Sequence, residues 1–118
     1  MSQDLIQRIF SIDPEIRYVG ILNQQGKHIE GGMRPGITSL NPIEEEDRLF
    51  LQLLVARGMS ESWSRYFERF RFSIISHDRV KVFQFPFGNN ILLVTAEPSI
   101  SLNVAEKISE ISEKETKS

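Results

Sequence analysis

Residues 70–96 read FRFSIISHDRVKVFQFPFGNNILLVTA, and this stretch decides the fold. Three runs rich in β-branched and aromatic residues, 70–76, 80–85 and 90–96, are separated by His77-Asp78-Arg79 and by Pro86-Phe87-Gly88-Asn89, both turn-forming. Connections this short join antiparallel neighbours, because a parallel crossover needs about a dozen residues or more. In the first run Phe70, Phe72 and Ile74 alternate with Arg71 and Ser73, so one buried face and one wet face are predicted. Ile91, Leu92, Leu93 and Val94 are apolar on both faces, as a central strand requires.

Upstream, residues 16–22 form another strand-like run, and Asn23-Gln24-Gln25-Gly26 turns it into a second strand predicted over 27–31. Ahead of that hairpin, Ser2 suits an N-cap, Leu5, Ile6, Ile9 and Phe10 repeat at helical spacing, and Asp13-Pro14 stops the helix. Gly31, Gly32, Pro35 and Gly36 predict a loop to about residue 41. Asn41 then offers a cap, Pro42 fits the first helical position, and Glu44, Glu45, Glu46 and Asp47 lie where the helix dipole favours negative charge. Leu49, Leu53, Ala56, Trp63 and Phe67 share one arc of a helix predicted over 42–67, with Gly58 as a kink or, with Ser60 as a new cap, a break. After the meander, Pro98 ends the last strand, Ser101 caps a final helix, and Val104, Ala105, Ile108 and Ile111 make its buried stripe, with a frayed charged tail expected over 113–118.

The predicted order is αββαβββα: an α+β domain with a five-stranded antiparallel sheet flanked by helices. A chain of 118 residues, 40% hydrophobic and 25% charged, supports one core and predicts a single domain over residues 1–112. With no cysteine, disulfides, thiolate metal sites and cysteine nucleophiles are excluded. The amino terminus lacks a basic stretch followed by an apolar run, and the longest apolar runs are far below spanning length, so a soluble cytoplasmic protein without membrane insertion is expected. Net charge is −2, and the domain-wide positive field of a nucleic-acid binder is missing, although residues 57–81 carry six basic and three acidic groups.

The order of elements, carried by residues 16–26 as first strand and turn and 90–96 as last strand, resembles the roadblock/dynein-light-chain family, a branch of the profilin-like folds. Locally the chain is also similar to a family of archaeal domains of unassigned function, through 16–20, Gly26-Lys27 and the 31–36 loop. The roadblock resemblance implies dimerisation through the long helix and the strand after it, with a regulatory or scaffolding role, often beside small GTPases or other regulatory proteins. It does not imply catalysis.

Residue chemistry points the same way. His28 and His77 are the only histidines and neither has a carboxylate set at metal-ligand spacing, the acidic run 44–47 is explained by the helix dipole, and there is no nucleophile elbow or NTPase phosphate loop. No catalytic residue, cofactor or metal site is expected. Two surfaces stand out. Arg17, Gly31, Gly32, Arg34 and Gly36 form a candidate anion or ligand loop beside the sheet, or a structural turn. Trp63, Arg65, Tyr66, Arg69 and Arg71 form a candidate protein interface, which with Arg79 and Lys81 is also the place a nucleic acid would touch. Phe67, Phe70 and Phe72 are assigned to the core, leaving Arg71, Arg79 and Lys81 on the solvent face or edge of the sheet.

Overall fold

The computed structural model describes residues 2–39, 58 and 62–117. The elements run α1 (Ser2–Phe10), β1 (Ile16–Leu22), β2 (His28–Met33), α2 (Ser64–Phe67), β3 (Ser73–Ser76), β4 (Lys81–Phe87), β5 (Asn90–Ala96) and α3 (Asn103–Lys117). The five strands make one sheet in the order β2-β1-β5-β4-β3, antiparallel throughout. The α+β class and the five-stranded antiparallel sheet are therefore as the periodicity predicts. Asn41, Pro42, the acidic run 44–47 and most of the predicted 42–67 helix lie outside the described residues. Gly58 is helical and its carbonyl accepts the Ser62 N–H at 3.2 Å, the spacing of a helical turn.

β5 lies at the centre and is buried on both faces. On one face Val19, Ile21, Phe83, Phe85, Leu92, Val94 and Ala96 meet Leu5, Ile6 and Ile9 of α1 and Val104, Ala105 and Ile108 of α3. Both helices present the stripe read from their spacing. On the other face Leu22, Ile91 and Leu93 form a smaller cluster with Tyr18 and Val82. Gly88 closes the β4–β5 hairpin with φ +61°, while Asn89 keeps a negative φ; glycine at the first of two loop residues is the II′ pattern that matches strand twist. Pro86 is tolerated inside β4 because β3 stops opposite Gln84, leaving no ladder partner there for the missing N–H.

Four boundaries depart from the sequence reading. β2 runs to Met33, so Gly31 and Gly32 belong to a strand, where Gly31 pairs with Gly20 and Gly32 with Val19. The absence of side chains on both sides of that pair allows close approach of the backbones. β3 starts at Ser73 and not at Phe70, because residues 69–71 turn toward α3. β4 extends to Phe87. α3 continues to Lys117, past the expected fraying point, with Glu113 and Glu115 in ion pairs to Arg69, Arg71 and Arg8.

Candidate interaction surface

The short helix α2 and its N-cap carry an unusual exposure of aromatic surface. Trp63, Tyr66 and Phe67 are 57%, 71% and 71% exposed. Trp63, the N-cap of α2, and Phe67 are separated by one helical turn, and their rings stack at 5.5 Å with 4° between planes. The Arg65 guanidinium lies 5.9 Å from the centroid of Tyr66. Spacing correctly grouped Trp63 with Phe67, but the core assignment of Phe67 is wrong: their shared face points outward. Phe72 does pack on the core, against Phe85 at 5.8 Å.

Beside it, β3 forms one edge of the described sheet, four residues long, with Ile75 partly exposed. Between the two lies Glu68, at φ 67° and ψ −154°, a region populated essentially by glycine. Holding glutamate there costs about 1–3 kcal/mol. Glu68→Gly removes that strain against about 0.5–1 kcal/mol of added chain entropy, and a rise in melting temperature of about 4 °C is expected in thermal denaturation.

Of the predicted interface residues, Trp63, Arg65 and Tyr66 come together on this outward turn. Arg69 and Arg71 do not join them. Arg69 pairs with Glu113 at 3.2 Å, and Arg71 with Glu106 at 3.0 Å and with Ser109 Oγ at 3.4 Å, tying residues 69–71 to α3. Arg71 therefore leaves the solvent face to which strand alternation assigned it. Lys81 also departs from that assignment, donating to the Ile100 carbonyl at 3.2 Å. Sequence reasoning missed Glu106, Ser109 and Glu113, which resembled an ordinary solvated helix face.

The arginines of the glycine loop are engaged within the chain. Arg34 donates from Nε to the Ile16 carbonyl at 2.7 Å and from Nη2 to the Phe10 and Asp13 carbonyls at 2.8 Å each, with its guanidinium 5.0 Å from the Phe10 ring centroid. Arg17 donates to Glu97 at 2.6 Å and to the Thr38 carbonyl at 2.8 Å. Pro35 and Gly36 make a turn closed by the Ile37 N–H on the Arg34 carbonyl. His28 lies 6.3 Å from Tyr18, ring to ring, and the His77 N–H closes the β3–β4 turn on Val80. Among the described residues, no group of three or more His, Asp or Glu is placed to hold a metal ion, and no helix is long and apolar enough to cross a membrane.

A helix-flanked five-stranded antiparallel sheet in the order 2-1-5-4-3 is the roadblock/profilin-like fold. Solved structures bear this out. A roadblock/LC7 domain from Streptomyces avermitilis superposes with a TM-score of 0.69 at 14% identity, over 93% of this chain and 90% of that one. MglB of Myxococcus xanthus gives 0.69 at 13% identity, over 97% and 90%. Profilin II of Acanthamoeba castellanii gives 0.58 at 12% identity, over 95% and 94%. At these identities the likeness is one of fold. No family model and no curated protein sequence matches the chain.

Proposed function

We propose that this domain is a non-catalytic interaction and regulatory module that pairs with a second copy of itself through the outward face of α2 and the β3 edge. The exposed Trp63–Phe67 stack beside an edge strand carries this reading. Aromatic side chains and arginine are the groups most enriched at the centres of protein interfaces, and a two-fold contact places the same patch on itself. An MglB structure with a tetrameric arrangement supports the view that this fold assembles. The roadblock resemblance supports a small GTPase or another regulatory protein as the further partner class, and the cysteine-free composition supports a cytoplasmic location. The committed donors of Arg17 and Arg34 weigh against a small-ligand sensor built on the 31–36 loop, and the pairing of Arg69 and Arg71 weighs against a nucleic-acid surface.

Light scattering over a concentration series tests the proposal. The wild-type chain is expected to dimerise, and Trp63→Ser with Phe67→Ser to weaken dimerisation by about 100-fold, the loss of two interface hot-spot residues. Both residues are exposed, so the variant should keep its circular dichroism spectrum. A wild-type chain that remains monomeric at high concentration overturns the proposal, as does a variant that dimerises normally.

A further inference from the structure

The residues that tie the α2–β3 connection to α3 make a closed network. Arg69 Nη2 meets Glu113 Oε1 at 3.2 Å; the same oxygen lies 3.8 Å from Arg71 Nε. Arg71 Nη2 meets Glu106 Oε2 at 3.0 Å and donates to Ser109 Oγ at 3.4 Å, and Ser109 Oγ donates in turn to Glu113 at 3.5 Å. Ser109 is buried, so the network has one fixed member inside the packing. Isolated exposed ion pairs contribute little, whereas a shared network holds its geometry. The arginine that joins two carboxylates also lies over Phe72, at 5.8 Å, and Phe72 is anchored on Phe85.

Immediately before this anchored segment is the strained Glu68, and immediately before Glu68 is the aromatic turn. A residue in such a conformation persists only where its surroundings over-determine it. On its carboxyl-terminal side the chain next to Glu68 is held by the network through Arg69 and Arg71.

We infer that the Arg69–Arg71 network with Glu106, Ser109 and Glu113 is an ion-pair latch: closed, it enforces the Glu68 conformation and presents Trp63, Tyr66 and Phe67 outward; open, Glu68 relaxes and the patch is withdrawn. The latch makes assembly through the patch sensitive to ionic strength with a sign opposite to that of a purely apolar contact, which salt does not screen. This rests on the proposed self-association for one of its readouts and is independent of it for the other, because Trp63 is the only tryptophan of the chain and its emission reports the patch in a monomer as well.

Arg71→Gln opens the latch without reversing a charge. Association measured by light scattering is expected to weaken about tenfold, the size of a coupled network, and Trp63 emission to shift. Raising sodium chloride from about 0.05 M to about 1 M, where the Debye length falls to about 3 Å, should do the same to the wild type. Adding Glu68→Gly to Arg71→Gln makes the native backbone accessible without the latch, so association and emission should return to near wild-type values and lose their salt dependence. Far-ultraviolet circular dichroism confirms that each variant folds. Unchanged emission and association in Arg71→Gln overturn the latch, and so does a failure of Glu68→Gly to rescue. A monomeric wild type whose Trp63 emission still follows Arg71→Gln and its rescue would leave the latch standing and overturn self-association alone.

Discussion

Gly31→Ala is expected to destabilise the domain by at least about 3 kcal/mol, seen as a melting temperature lowered by about 12 °C or more. Gly31 holds φ +95°, where a side chain is disfavoured, and a Cβ there would collide with the Val19 carbonyl oxygen and reach Gly20 Cα at 2.8 Å. Those are backbone atoms of β1, a strand hydrogen-bonded on both sides between β2 and β5, and they have no room to retreat. The lower-energy response is for β2 to leave the sheet. Amide exchange should therefore accelerate first in residues 28–33 and in their partners on β1, ahead of β4 and β5. Gly32 provides the control: a Cβ there meets nothing within 4 Å and its φ is not in the left-handed region, so Gly32→Ala should be close to neutral. Equal melting temperatures for the two variants would contradict the account.

Arg34→Met is expected to lower stability by about 3 kcal/mol, or about 12 °C in melting temperature. Its guanidinium joins three carbonyls, of Phe10, Asp13 and Ile16, that belong to the end of α1, the turn after it and the start of β1. Each is a charge-assisted bond worth about 1.5–3 kcal/mol when buried, and the partial burial of Arg34 brings the sum down because water replaces part of what is lost. Arg34→Lys keeps the charge and should recover less than half, since one ammonium does not span three carbonyls presented to a planar fork. The same pair of variants separates the two readings of the glycine loop. If Arg34 served a ligand, Arg34→Met would leave the unliganded protein's melting temperature unchanged.

Much of the fold was legible. β1 and β5 were bounded to the residue because each is a run of β-branched and aromatic side chains closed off by proline, asparagine or glycine, signals that act over a few residues. The stripes of α1 and α3 were legible for the same reason. The surface was harder. Trp63 and Phe67 are one turn apart whether that turn faces in or out, so spacing grouped them and could not orient them. Arg71 sits three residues before Ile74 in a run that alternates on paper, but its carboxylate and hydroxyl partners lie 35 and 38 residues away. Gly32 looked like a loop residue because nothing in its own neighbourhood reveals that it pairs with Val19.

What the sequence determined by itself is whatever depends on short-range physics: the five strands and their places along the chain, the faces of α1 and α3, and the turns closed by Asn23 and Gly88. What only the tertiary structure decided is the fate of each polar and aromatic side chain that has more than one place to go. Arg34 bonds three carbonyls of neighbouring elements, Arg69 and Arg71 reach carboxylates of α3 while staying open to solvent, and Phe67 faces outward and not into the core. Those choices are settled by which surfaces the folded chain brings within a few ångströms of one another, and that distance is not encoded in separation along the chain.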